Sequence, residues 1–185
     1  TPNGVAANVE KCFDAGIPVV VGTTAWEAAF EQVKERCEKE KQTLFHAPNF
    51  SIGVNIFFAV NRYLADLMDA HSEYDVEVDE VHHKEKKDAP SGTAVRLAKD
   101  LLGAIERKTE WVKEKAQDPS QLQVASERKD DVKGTHTVRY SSAIDDITIQ
   151  HMARSRKGFA LGAVLAAEWV QERQGIFTMR DMLDL

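Results

Sequence analysis

The sequence contains few cysteines, no long apolar run and no excess of positive charge. Only two of its 185 residues are cysteines, Cys12 and Cys37, and both fall on helix surfaces predicted to face a core. This usage argues against a disulfide framework and favours a reducing, cytoplasmic location. No apolar stretch approaches the roughly 20 residues of a membrane-spanning helix, so no membrane partner is expected. A formal net charge of −6 argues against nucleic acid as a partner, because binding it requires a basic surface.

The first part of the chain alternates helix and strand patterns. A helical pattern stops at Gly16, and the continuous apolar run Ile17–Val21 is typical of a strand buried on both faces of a parallel sheet. Thr24 and Glu27 have the spacing of a capping box for the next helix, and the following strand is predicted at 43–47. This order of elements predicts the end of a doubly wound α/β sheet.

Beyond residue 53 the order of elements changes to that of an α+β domain with a mixed sheet. A mostly apolar helix is predicted from Val54 to about Ala70, and the polar residues 108–121 are interpreted as a loop. Thr178 and Asp181 have the spacing to cap a last short helix. The remaining predicted elements are a strand at 74–83, a helix at 93–107, antiparallel strands near 122–127, 135–141 and 145–152, and a helix at 159–171.

The strand that ends at His83 changes character along its length. Side chains of a strand alternate between its two faces, so Val76 and Val78 share a face with Glu80 and His82. The apolar face therefore becomes polar at its end, and His83 points the other way.

A turn and a helix start follow this strand. Ser91, Gly92 and Thr93 stand just after Pro90, where a helical pattern begins. The unpaired N–H groups and positive dipole end of a helix N-terminus would face this turn. We therefore predict a carboxylate- or phosphate-binding pocket at these three residues. The alternative is that Ser91 or Thr93 only caps the helix.

Imidazole and ammonium groups are concentrated beside this turn. An imidazole exchanges protons near neutral pH, and a lysine donates one where its pKa is lowered, so His82 and Lys86 are candidates for proton transfer. The neighbouring His83, Lys84 and Lys87 add positive charge, although a solvated loop is an equal alternative for the last two. Adjacent strand residues point to opposite faces, so no metal site is predicted at the tandem histidines.

Three further segments have the position of ligand-binding turns. Open α/β sheets bind ligands at the carboxyl ends of their strands, and two turns follow the predicted parallel strands there. Arg154, Arg156 and Lys157 precede the last long helix and could form a second carboxylate site, since arginine binds carboxylate in a bidentate manner. The alternative for each segment is an ordinary turn or a basic surface loop. The two turns consist of Gly22, Thr23 and Thr24 and of Ala47, Pro48, Asn49 and Phe50.

The run EVHHKEKKDAPSGTA, from Glu80 to Ala94, closely resembles the signature of the 4-hydroxy-tetrahydrodipicolinate reductase family, long called dihydrodipicolinate reductase. The shorter pieces GTT at Gly22, APNFSIGVN at 47–55, SRKGFALGA at 155–163 and the terminal MRDMLDL resemble the family in the same order. That family reduces a cyclic unsaturated dicarboxylate with hydride from NADH or NADPH in the diaminopimelate and lysine pathway.

The resemblance implies a role for each candidate residue. His82 would be the proton donor and acceptor and Lys86 a proton donor. The substrate would be held by His83, Ser91, Gly92 and Thr93, with Arg156 facing the active site. The nicotinamide end of the cofactor would meet Gly22, Thr23, Thr24, Ala47, Pro48, Asn49 and Phe50.

The resemblance also implies an organisation. Residues 1–52 would be part of a Rossmann-like dinucleotide-binding domain, 53–172 a substrate-binding and tetramerisation domain, and 173–185 a segment returning to the first domain. The family's glycine-rich G-x-x-G turn does not occur in this sequence. We therefore expect this chain to bind cofactor weakly, and the preference between NADH and NADPH is not encoded in it. A homotetramer is expected, built on the sheet of the second domain.

A non-catalytic dicarboxylate-binding or assembly module of the same fold is the alternative function. Such a module needs positive charge at the pocket but no proton donor. The presence of both His82 and Lys86 therefore favours an enzyme.

Overall fold

The computed structural model describes residues 4–185, and residues 1–3, where the first predicted domain begins, lie outside the described part. The chain forms two compact units, the first comprising the chain up to Asn55 with Lys157–Leu185, and the second Ile56–Arg156. In chain order the elements are α1 (Val5–Asp14), β1 (Val19–Val21), α2 (Glu27–Lys39), β2 (Thr43–His46), α3 (Ile52–Met68), β3 (Asp75–His82), α4 (Gly92–Ala104), β4 (Glu110–Val112), β5 (Gln121–Arg128), β6 (Thr135–Ser141), β7 (Asp146–Met152), α5 (Lys157–Trp169), β8 (Gly175–Phe177) and α6 (Met179–Leu183).

The first unit contains a parallel sheet with the strand order β1-β2-β8. Val20 pairs with Phe45 across β1 and β2, and Phe45 pairs with Phe177 across β2 and β8. The apolar run before Gly22 is therefore a parallel strand, which confirms the predicted α/β sheet. The C-terminal segment contributes β8, which pairs with β2 in this sheet.

The helices of the first unit bury apolar faces against the sheet. Val5, Val9 and Phe13 recur every four residues on α1, and all three are buried with Val21 of β1 in one core cluster. Among residues 4–185 no helix is long and apolar enough to cross a membrane.

The helix α5 belongs to the first unit. Ala166 packs in a core cluster with Phe45 of β2. A close approach is made at Gly162, where an added Cβ would lie only 1.7 Å from the carbonyl oxygen of Phe50. These contacts group α5 with the parallel sheet, whereas the sequence-based boundaries placed it within 53–172.

The second unit contains the five-stranded mixed sheet β4-β5-β3-β6-β7. β3 and β4 each run parallel to β5, whereas β6 runs antiparallel to β3 and β7. The prediction of a mixed sheet is confirmed, but the antiparallel prediction is wrong for the strand near 122–127. The interpretation of 108–121 as a loop is also wrong, because Trp111 of β4 pairs with Leu122. A three-residue edge strand is too short to show an alternating pattern.

One face of this second sheet is covered by α4. Leu97 and Leu101 of α4 are fully buried in one cluster with Val78, Val124 and Val138 of the sheet. These three valines are register neighbours on β3, β5 and β6, so they form one apolar row across the sheet.

Candidate active site

The face of the sheet covered by α4 ends in a row of polar side chains. Glu80 on β3 pairs with Ser126 on β5 and with His136 on β6, and His136 pairs with His151 on β7. Paired positions project to the same face, so these side chains lie side by side. His82 follows two residues beyond Glu80 on this face, as the alternation of the sequence predicts.

Glu80 is the buried negative charge of this row, with only 1% of its surface exposed. Both carboxylate oxygens lie 3.1 Å from the backbone nitrogen of Ser91, which donates to them, and Arg128 donates to Oε1 at 3.0 Å. Burial acts to raise the pKa of Glu80, but hydrogen bonds from His136, Ser91 and Arg128 outweigh it and hold that pKa well below its usual range. Glu80 is therefore buried as an ionised carboxylate that is paired with these donors.

The two imidazoles of the cluster meet beside this carboxylate. The Nε2 atom of His82 lies 3.2 Å from Nε2 of His136, and each of these nitrogens lies 3.6 Å from Oε2 of Glu80. An added Cβ on Gly134 would lie 2.8 Å from Cε1 of His82, so the absence of a side chain there makes room for the ring.

His82 is neutral at neutral pH. Burial lowers its pKa to about 4, and the neighbouring His136, Lys86 and Arg128 act in the same direction, although Glu80 acts against them. A neutral imidazole has one N–H and one lone pair, so it can either donate or accept a proton.

The helix N-terminus at α4 is joined to this cluster through Ser91. Its hydroxyl accepts the backbone N–H of Ala94 at 3.3 Å, and the same oxygen lies 3.1 Å from Nε2 of His136. Ser91 is 3% exposed, so its polar groups are used within the protein. Gly92 is exposed with no atom within 4 Å of an added Cβ, and Thr93 is half-buried. The open part of the predicted pocket is therefore at Gly92 and Thr93.

The loop between β3 and α4 carries the ammonium group. Lys86 Nζ lies 2.7 and 2.8 Å from the two carboxylate oxygens of Asp88, and 22% of the Lys86 side chain is exposed. The bond from Lys86 lowers the pKa of Asp88. Arg128 donates to the backbone oxygen of Asp88 at 2.7 Å, and so ties this loop to β5 and to Glu80.

The remaining predicted substrate residues differ in placement. His83 is half-buried and its backbone oxygen accepts the N–H of Lys86 at 3.1 Å, so it lies at the start of the same loop. Arg156 is exposed beyond β7, and the structure shows no contact between it and the described residues of this cluster. His82, His83, Lys86 and the start of α4 are thus brought together, and Arg156 is not.

The cluster also has the composition of a small metal site. Ligand atoms of Glu80, His82 and His136 lie within 4.8 Å of one another. The carboxylate, however, already accepts hydrogen bonds from Ser91 and from Arg128, whose positive charge opposes a cation. We therefore assign no metal ion to these residues.

The two turns predicted to meet a cofactor lie next to each other in the first unit. Val21 pairs with His46 at the carboxyl ends of β1 and β2, and the N–H of Ala47 donates to the carbonyl of Val21 at 3.1 Å. Gly22 and Pro48 are exposed in these turns. This is the edge at which parallel α/β sheets bind nucleotides.

Local structure explains the form of these turns. An added Cβ on Gly22 would lie 3.1 Å from the ring of Phe50, so a side chain there would force the ring to move. Asn49 accepts the N–H of Ser51 at 2.9 Å, and the Asn55 side chain donates to the carbonyl of Asn49 at 2.9 Å. The second turn is thereby fixed onto the start of α3.

Sequence reasoning missed three residues of the cluster. Arg128 stands one residue past the strand predicted at 122–127, Asp88 was one acidic residue among several, and His136 stood alone on its strand. The only available signal was the alternation of 135–141, which places His136 on the same face as Val138.

Comparisons with known proteins cover nearly the whole chain. The family model described as dihydrodipicolinate reductase, N-terminus, matches residues 1–50, and the model for the C-terminus matches residues 53–183. The 4-hydroxy-tetrahydrodipicolinate reductase of Christiangramia forsetii is 44% identical over 98% of this chain and 76% of that protein. The enzyme of the same name from Magnetococcus marinus is 36% identical over 96% of this chain and 68% of that protein.

A solved structure has the same fold. The dipicolinate-bound dihydrodipicolinate reductase from Paenisporosarcina sp. TG-14 matches with a TM-score of 0.76 over 99% of this chain and 71% of that chain, at 24% identity. At that level of identity the likeness establishes the fold.

Proposed function

The chain belongs to the dihydrodipicolinate reductase family, and we propose that it reduces 4-hydroxy-tetrahydrodipicolinate to tetrahydrodipicolinate with NADH or NADPH, in lysine biosynthesis. The observation that carries this proposal is the convergence of His82, Lys86 and the open N-terminus of α4 at one end of the second sheet. These groups suit a substrate with two carboxylates that must accept a proton.

The charges around the cluster suit a dianion. The Lys86 ammonium donates N–H groups, and Gly92, the first residue of α4, is exposed at the helix end where the first backbone N–H groups lack partners within the helix. Asp88 holds Lys86 in the free protein, and an incoming carboxylate would compete for the same donor. We propose that His83, Gly92 and Thr93 bind the substrate carboxylates, that Ser91 fixes the helix start beneath them, and that Arg156 contributes a further cation.

Reduction requires one hydride and one proton. When bound, the nicotinamide cofactor supplies the hydride. Lys86 and His82 are the proton-transferring groups of this chain. Burial keeps His82 neutral in the free protein, and a dianion beside it would favour its protonation.

The cofactor is assigned to the first unit. We propose that Gly22, Thr23 and Thr24 and the turn from Ala47 to Phe50 contact its nicotinamide end. The adjacent turns at the carboxyl ends of β1 and β2 fit this role, since Gly22 and Pro48 are open to solvent there.

Titration with 2,6-pyridinedicarboxylate, an aromatic mimic of the substrate, tests the site. We expect Lys86→Ala and His83→Ala each to weaken binding by about tenfold or more, because a hydrogen bond to a charged group contributes about 1.5–3 kcal/mol. Lys87→Ala is the matched control, since Lys87 is exposed in the same loop, and its affinity should stay close to wild type. Isothermal calorimetry measures all three.

Two results would contradict the assignment. One is a wild-type chain that does not bind the mimic, and the other is unchanged affinity in the Lys86→Ala/His83→Ala double variant. Binding of the mimic without oxidation of NADH or NADPH in the presence of substrate, at cofactor concentrations raised until the expected weak binding is saturated, would favour the non-catalytic module.

We propose that the protein assembles as a homotetramer through the sheet of the second unit. β7 is the edge strand of that sheet, and its neighbourhood carries the exposed apolar side chains Ile144, Ile147 and Met152. Light scattering should give four times the chain mass, and Ile144→Lys combined with Met152→Lys should lower it. A monomer at micromolar concentration would contradict the tetramer.

A further inference from the structure

His136 occupies a position that the proposed chemistry does not itself require. It is 5% exposed in the middle of the second sheet, and its Nε2 atom faces three polar groups. These are Ser91 Oγ at 3.1 Å, His82 Nε2 at 3.2 Å and Glu80 Oε2 at 3.6 Å. Its other ring nitrogen, Nδ1, is buried without a hydrogen-bond partner among the described residues.

This asymmetry determines which nitrogen of His136 carries the proton. A buried N–H without an acceptor is rarer in proteins than a buried acceptor without a donor. Nδ1 is therefore the bare nitrogen, and Nε2 carries the hydrogen. An N–H at Nε2 of His136 also has acceptors within reach, the Ser91 hydroxyl oxygen at 3.1 Å and the Glu80 carboxylate at 3.6 Å.

The proton on His136 in turn constrains His82. Two N–H groups cannot face each other across the 3.2 Å between the Nε2 atoms, so Nε2 of His82 must offer its lone pair. A neutral imidazole has a single N–H, which then belongs to Nδ1 of His82. The charged and titratable groups around His82 are Glu80, His136, Lys86 and Arg128.

We propose that His136, backed by Glu80, is a positioning residue that holds His82 in the tautomer with its proton on Nδ1. The catalytic use of this tautomer rests on the proposed function, in which His82 would meet the substrate with an N–H at Nδ1. The assignment of the tautomer itself rests only on the geometry of the cluster. Ser91 belongs to the same hydrogen-bonded group as His136 and Glu80, because its hydroxyl contacts Nε2 of His136 and its backbone N–H donates to Glu80. The start of α4 and the tautomer of His82 are thereby fixed by one buried pair.

Long-range ¹H–¹⁵N correlation spectra of the whole chain labelled at histidine test this directly. Protonated and bare imidazole nitrogens have well-separated shifts, and loss of one set of signals in His82→Gln assigns His82. We expect His82 to carry its proton on Nδ1 at neutral pH and His136 to carry its proton on Nε2. A wild-type spectrum with the His82 proton on Nε2 overturns the proposal, whatever the variants do.

Variants test the cause. In His136→Leu the N–H donor is lost, and the fraction of His82 with its proton on Nδ1 should fall toward that of a free imidazole. His136→Gln retains an amide N–H and should keep most of that fraction. His151→Leu is the matched control, because it removes the neighbouring imidazole of the same row, which makes no hydrogen bond to His82. An unchanged His82 tautomer in His136→Leu overturns the proposal.

The readout separates this inference from the proposed function. The tautomer is measured without substrate or cofactor, whereas the function is tested by binding of the dicarboxylate mimic. A chain with the expected tautomer that does not bind the mimic would contradict the function and leave the positioning pair intact. A chain that binds the mimic but has the His82 proton on Nε2 would support the proposed function and contradict the positioning role of His136.

Discussion

Replacing Gly162 by alanine is expected to destabilise the first unit by about 3 kcal/mol or more, or to prevent it from folding. A Cβ at this position would lie 1.7 Å from the carbonyl oxygen of Phe50 and 2.8 Å from its carbonyl carbon. Backbone atoms cannot rotate away as the end of a side chain can. The helix α5 would have to move off the sheet, and Ala166 would leave the core that it shares with Phe45.

Gly158→Ala is the matched control on the same helix. The nearest atom to its added Cβ is Ser51 Oγ at 3.8 Å, an ordinary van der Waals contact. Alanine also has the higher helix propensity, so this variant should be as stable as wild type or slightly more stable. Urea unfolding followed by circular dichroism measures both variants. Equal stability of the two would show that α5 does not approach Phe50 as closely as the structure indicates.

The Gly162 contact also illustrates what the sequence could not predict. Residues 47–55 and 155–163 resemble one family as separate pieces, and nothing in either piece shows that Gly162 lies against Phe50. The contact joins residues more than a hundred positions apart. Local patterns carry no information about such a pair.

Local patterns succeeded where the cause was local. The spacing of Thr178 and Asp181 predicted a capping box, and both of its hydrogen bonds are present. The Thr24 capping box was wrong, because Ala25 has a φ of 61° and α2 begins at Glu27 without a side-chain cap. Alternation identified the faces of β3 but not the direction of β5, since a strand has the same alternation whichever way it runs.

The site was predictable on one strand and its loop only. The run that ends at Ala94 contains His82, Lys86 and Gly92, and the sequence placed them together. Their partners Arg128 and His136 come from β5 and β6, and only the sheet register brings them to Glu80. Glu80 itself was noted for its face, but its role depends on those partners.

Glu80→Gln should cost about 3–5 kcal/mol of unfolding free energy at neutral pH, because it leaves the buried partners of a carboxylate without their charge. Arg128 would lose its ion pair at 3.0 Å, and the N–H of Ser91 would keep only a neutral acceptor. Glu127→Gln is the matched control, since Glu127 pairs with Lys129 at 2.9 Å while both side chains are more than half exposed. Exposed pairs contribute little, so this variant should resemble wild type.

The pH dependence of this loss follows from the depressed pKa of Glu80. A carboxylate whose pKa is lower in the folded state stabilises the protein above its unfolded pKa, here 4.5, and that stabilisation is lost as the pH falls toward the folded value. The difference between wild type and Glu80→Gln should therefore be constant above pH 4.5 and should shrink below it. His82 acts in a different window, because burial lowers its pKa from 6.5 to about 4. Both proteins should therefore lose stability between pH 6.5 and 4.

Hydrogen exchange of peptides covering β3 and α4 measures the effect in the second unit itself. Amide exchange in Glu80→Gln should be faster than in wild type at neutral pH. Where exchange requires global opening, a loss of about 3–5 kcal/mol of unfolding free energy corresponds to an acceleration on the order of 10²–10³ or more. Peptides of the first unit serve as the internal reference. Equal protection of β3 and α4 in wild type, Glu80→Gln and Glu127→Gln would contradict this prediction. It would mean that the charge of the buried carboxylate does not stabilise this end of the sheet.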